Sequence, residues 1–143
     1  GVRGISLQSA TDEVVGMIVV NDENQNILVL SEKGYGKQTP VSDYRLIKRG
    51  GKGVKNLNVT DKTGGVVTIK LVEETEDEDI MIITKLGNTV RLSIDEVNTQ
   101  GRNTQGVTLI RLRKGDEIAS VAKVMEKDED EDLSEEGEEP TEE

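Results

Sequence analysis

Gly53-Val54-Lys55-Asn56-Leu57-Asn58-Val59 has a counterpart on either side: Gly1-Val2-Arg3-Gly4-Ile5-Ser6-Leu7 before it and Gly106-Val107-Thr108-Leu109-Ile110-Arg111-Leu112 after it. The spacing is 52 to 53 residues, and similarity at a fixed period of this length marks a repeat architecture. A β-branched run follows each copy: Val14 to Val20, Val66 to Val72 and Ile118 to Val124. Ile27-Leu28-Val29-Leu30 then returns as Ile80-Met81-Ile82-Ile83, and Gly34 as Gly87, at an offset of 53. A short fourth segment, Gly36 to Val41 or Asn88 to Ile94, closes each unit.

Short runs rich in Val and Ile, separated by Asn, Asp, Gly, Lys and Thr, read as β-strands. Four such strands in each repeat match a propeller blade, and a β-sandwich of two related halves fits the same pattern. The expectation is an all-β fold with propeller-like blades of four strands. Its body is residues 1–124, with complete repeats at 1–52 and 53–105 and a partial one at 106–124. Closed propellers need about four blades, so this body reads as a part of something longer.

The formal charge of -11 argues at first against a nucleic-acid partner, but its distribution reverses the argument. Residues 1–124 hold 17 basic and 17 acidic side chains, whereas residues 125–143 hold 12 carboxylates against Lys127 alone. With almost nothing apolar to bury, that acidic C-terminal tail is expected to be disordered. Within the neutral body, Lys33, Lys37, Arg45, Lys48, Arg49, Lys52 and Lys55 face one acid, Asp43, over 23 residues. Such a cluster is the electrostatic footprint of a polyanion site.

Cysteine, histidine, tryptophan and phenylalanine are absent, which removes disulfides, thiolate or imidazole metal sites and most nucleophile-base pairs. No metal site is expected: the acids Asp128, Asp130, Asp132 and Glu139 have calcium-loop spacing, but Leu133 stands where the turn glycine is required. The acidic run Glu73 to Asp79 reads as a solvated loop between strands. No apolar run reaches 18 residues, so no membrane span is expected, and a cytoplasmic protein is the simplest reading. The two aromatic residues, Tyr35 and Tyr44, are expected to pack beside the blades, too few to form a stacking platform for single-stranded bases.

Lys48-Arg49-Gly50-Gly51-Lys52-Gly53 is the most informative local segment. Glycines let backbone N–H groups approach phosphate oxygens while the cations beside them supply charge. It is not a Walker A loop, because Lys52 is followed by Gly53 where Ser or Thr is required.

With Ile47 in front, this segment resembles the QRRGGKG box of the DNA gyrase A C-terminal domain, which wraps DNA. Gly1-Val2-Arg3-Gly4-Ile5, Asn26 to Leu30 with Glu32 to Pro40, and Gly101-Arg102-Asn103-Thr104-Gln105-Gly106-Val107 are also similar to segments of its later blades. The resemblance covers Gly1 to Val124, and the acidic tail is similar to the family's C-terminus. It implies a β-pinwheel, a propeller-like disc whose basic rim bends duplex DNA. It also implies an intact enzyme, a heterotetramer of gyrase A with gyrase B that introduces negative supercoils using ATP and Mg2+ on the chromosome. The box departs from the family's at its first position, Ile47 in place of Gln, and the family's principal box belongs to the first blade, so this one resembles a box-like relative in a later blade.

On this reading the chain is a non-catalytic, nonspecific DNA-binding and DNA-wrapping unit. The expected phosphate contacts are Lys37, Arg45, Lys48, Arg49, Lys52 and Lys55 in the first full repeat and Arg91 and Arg102 in the second. No catalytic residue and no cofactor of this chain's own is expected. The corresponding C-terminal domain of topoisomerase IV is the nearest alternative, and a propeller-type protein-interaction scaffold is the alternative of another class.

Overall fold

The computed structural model describes residues 1–73 and 78–125. Seven strands are formed there: β1 (Gln25–Ser31), β2 (Tyr35–Pro40), β3 (Val66–Glu73), β4 (Glu78–Thr84), β5 (Thr89–Ser93), β6 (Val107–Thr108) and β7 (Ile118–Met125). They make one antiparallel sheet in the order β3-β1-β2-β6 and a second in the order β5-β4-β7. The last strand carries the body to Met125, and the expectation of disorder in the tail beyond it lies outside the described residues.

The repeat survives in detail. β1 pairs with β3 from Gln25↔Glu73 to Ser31↔Val66, and β4 pairs with β7 from Glu78↔Met125 to Thr84↔Ile118. The register slips between Leu30 and Ser31 in one ladder and between Ile83 and Thr84 in the other, the same place after a shift of 53 residues. The hairpin glycines Gly34 and Gly87 share φ values of 86° and 85°, and 3-10 turns Val41–Asp43 and Ile94–Glu96 follow β2 and β5. A positive φ is strained for any residue with a Cβ, which is why glycine recurs at these turns.

A sheet is not a repeat. β1 and β2 come from the first repeat, β3 from the second and β6 from the third, so the four strands of one blade are gathered from three successive units. The four segments expected to stand together in each repeat are instead divided between neighbouring sheets. Val14 to Val20 and Gly53 to Val59 form no strand, and only Val107 and Thr108 of the third leading segment do. The division follows the pairing: β3 and β7 each lie against a strand of the preceding repeat.

The core lies between the two sheets. Leu28 and Leu30 of β1, Val72 of β3, Ile80 and Ile82 of β4, and Ile118 and Val121 of β7 are buried together with Ile94, Val97 and Ile110. β4 alternates as a half-buried strand should, with Glu78, Ile80, Ile82 and Thr84 inward. The apolar side chains of this cluster are all aliphatic, in keeping with a composition that lacks Phe and Trp.

Candidate nucleic-acid interface

The chain leaves the 3-10 turn at Asp43 and returns at Lys55, and the residues between form an excursion that carries four of the chain's 18 basic side chains. Arg45, Lys48, Arg49 and Lys52 are all exposed on it, as is Lys55 at its foot. Gly50 and Gly53 have φ of 77° and 79°, a conformation glycine alone adopts without strain. At Gly51 an added Cβ would lie 2.8 Å from Ile47 Cγ2, so a side chain there would displace Ile47. The tip rests on the N-terminal segment: Gly50 N–H donates to Gly4 O at 2.8 Å, Ser6 N–H to Gly51 O at 2.9 Å, and the Ser6 hydroxyl to Gly50 O at 2.6 Å.

The foot of the excursion is closed twice. The Tyr44 hydroxyl donates to Asn56 Oδ1, joining the outgoing chain to the returning one. Arg102, half-buried, donates from Nε to Asp43 O at 2.8 Å and from Nη1 to Lys55 O at 3.1 Å, so one guanidinium spans the same gap. Burial first, with the Asp43 charge adding to it, raises the Tyr44 phenol above its ordinary range, so it stays a neutral donor.

Lys37 corrects the sequence expectation. It is fully buried on β2, and its ammonium donates to Gly101 O at 2.7 Å, Arg102 O at 2.8 Å, and Thr104 O and Oγ1 at 3.2 Å each. A cation so enclosed does not present its charge to a phosphate; it holds the loop 101–104 against the sheet. Burial, then the charge of Arg102, pulls its pKa down to about 8. The signal was in the repeat: a shift of 53 places Lys37 on Val90, which packs against the core.

Arg91 is placed away from the excursion, on β5 of the second sheet, where its Nε meets Asp79 Oδ2 at 2.5 Å. Nor is the acidic run simply a solvated loop: Glu78 is buried at the start of β4, and Lys123 Nζ meets its Oε1 at 2.7 Å. The calcium-spaced acids of the tail lie outside the described residues. Tyr35 and Tyr44 are each part-buried beside the sheets, and Lys62 Nζ sits 5.6 Å from the Tyr35 ring centre. Sequence reasoning missed Tyr44 and Asn56 as a closure because nothing in their spacing marks a contact across 12 residues. Among the described residues, no helix is long and apolar enough to cross a membrane.

Antiparallel sheets assembled from strands of successive repeats define a propeller-type repeat domain with a basic loop on its surface. The family model described as DNA gyrase C-terminal domain, beta-propeller, matches residues 1–21, 25–73 and 78–125. The chain belongs to that family. DNA gyrase A of Staphylococcus epidermidis (strain ATCC 12228 / FDA PCI 1200) is 46% identical over 129 residues, 90% of this chain and 14% of that protein. DNA gyrase A of Staphylococcus aureus (strain NCTC 8325 / PS 47) is 48% identical over 132 residues, 92% of this chain and again 14% of the relative. The chain thus spans a small part of the length of the curated relatives it matches. A solved structure of the DNA gyrase A C-terminal domain is 31% identical with a TM-score of 0.64, over 72% of this chain and 34% of that one. The C-terminal domain of DNA topoisomerase IV, at 24% identity, has a TM-score of 0.73 over 85% of this chain and 37% of its own, a likeness of fold alone.

Proposed function

We propose that the chain binds duplex DNA without sequence preference, through the excursion between Asp43 and Lys55, and contributes one sector of a surface that bends the duplex. The observation that carries this reading is the excursion itself. Four exposed cations stand on a glycine-bearing loop whose two ends are tied together, so charge is presented from a defined position. Arg45, Lys48, Arg49, Lys52 and Lys55 are the proposed phosphate contacts, with Arg91 a separate one on the second sheet. They act by displacing counterions, a mechanism that needs no contact with base edges.

Membership of the gyrase C-terminal family supports placing this sector in a type II topoisomerase, with the rest of gyrase A and with gyrase B as partners. ATP and Mg2+ belong, on this reading, to the intact enzyme and its supercoiling of the chromosome in the cytoplasm. This chain supplies binding and geometry and no catalytic group.

The test replaces Lys48, Arg49 and Lys52 together by Ala. If each meets one phosphate, the slope of log K against log salt flattens by about 2.7. Binding to duplexes of different sequence falls by the same factor. Slopes that stay equal in mutant and parent remove the loop from the interface.

A further inference from the structure

Three features converge on the foot of the basic excursion. Asp43 and Lys55 face each other there through their carbonyls, and both carbonyls accept from Arg102, which arrives from the next repeat. The loop carrying Arg102 is itself fixed, because the buried Lys37 ammonium binds the carbonyls of Gly101, Arg102 and Thr104. Asn58 N–H donates to Thr104 O at 2.9 Å, so the segment returning from the excursion is tied to that same loop. A guanidinium is a rigid planar fork able to join two acceptors on different segments, whereas an ammonium on a flexible stem is a point charge.

We infer that Arg102 is a positioning residue: it clamps the neck of the excursion between Asp43 and Lys55, Lys37 holds the clamp in place, and neither side chain is a phosphate contact. This rests on the DNA-binding reading above for its consequence and on the hydrogen bonds alone for its geometry. The residue aligned with Arg49 therefore has a different task in its own repeat. The exposed cations bind, and a cation of the following unit fixes where they stand. A loop ordered before it meets its ligand loses less conformational freedom on binding, so weakening the neck lowers affinity without removing any charge from the interface.

The experiment compares Arg102→Lys, Arg102→Gln, Lys37→Met and Lys52→Gln in the 143-residue chain. Two readouts are needed: binding of a labelled random-sequence duplex over a salt series, and amide exchange at Gly50 and Asn58. Arg102→Lys keeps the charge and loses the fork. It is expected to weaken binding about fivefold at fixed salt through lost ordering. Its salt slope stays that of the parent, and exchange at Asn58 rises about tenfold. Lys37→Met gives the same pattern from a site no phosphate reaches. Lys52→Gln does the reverse, flattening the slope by about 0.9 with exchange unchanged. The inference is overturned if Arg102→Lys matches the parent in affinity and exchange while Arg102→Gln flattens the slope by about 0.9, since that is the signature of a direct phosphate contact. A parent chain with no salt-dependent DNA binding removes the proposed function, while the exchange rates still decide whether Arg102 holds the neck.

Discussion

Lys37 shows how far one residue can stand from its type's usual role. Lysine is rarely buried, and here its charge is enclosed by carbonyls and one hydroxyl beside a second cation. Its pKa of about 8 lies below the 10.5 of a free lysine, so between those values the unfolded chain holds a proton that the folded chain has released. Folding stability from this group therefore rises as pH increases from about 8 toward 10.5, and the ammonium costs the folded state most below about 8. A titration of the labelled Lys37 side chain should find its midpoint near 8. A midpoint at or above about 10 would mean that the three carbonyls outweigh burial. Composition could not reveal this role, since a count of basic residues treats a buried ammonium and an exposed one alike. Alignment with Val90 could, because a strand position that is apolar in one repeat points inward in the other.

At the level of strands, the joint between β2 and β6 is the most exacting contact in the fold. Gly106 leads into β6 with φ of 78°, and a Cβ there would lie 2.5 Å from Gly36 O, a backbone atom with little freedom to yield. Gly106→Ala should therefore lose about 2 kcal/mol of stability, read as an earlier urea midpoint. Gly101→Ala, whose Cβ would meet nothing within 4 Å, should stay within about 0.5 kcal/mol of the parent. Equal losses at the two sites would show that the close approach at β6 is not what selects glycine. The strands themselves were largely legible: β1, β2, β3, β4, β5 and β7 all fall on runs that the repeat had picked out. Their partners were not. Periodicity says that a segment is extended, but which strand lies beside it depends on contacts across tens of residues, and the exchange of strands between repeats leaves no local mark.

For the molecule as a whole, charge is divided between a neutral body and an acidic tail, and the two are covalently joined. Removing Glu126 to Glu143 takes away 12 carboxylates and one lysine without touching any of the seven described strands. If the tether lets the tail's carboxylates reach the cations of the excursion, an effective concentration on the order of millimolar would let weak contacts compete with DNA. Its deletion should tighten DNA binding most at low salt, with the gain shrinking as screening rises. Amide shifts between Lys37 and Lys55 that vanish on deletion would separate direct competition from general repulsion of DNA. Unchanged affinity at low salt would leave the tail with no inhibitory role. The charge division was plain in the sequence; the excursion's closed neck was not, because Arg102 and Asp43 are 59 residues apart.

The gathering of one sheet from three repeats also constrains how the chain is made. β1 and β2 leave the ribosome before either of their outer partners, and β3 does not emerge until Val66 to Glu73 have been added. The outer edge of β2 waits longer still, for Val107 and Thr108. Until then an aliphatic strand buried on both faces in the finished fold, Leu28 to Leu30, lacks part of the structure that buries it there. Translation speed between those points, and any chaperone that shields a nascent edge, thus act on this protein at a stage when β1 and β2 have been synthesised but their sheet cannot yet be completed.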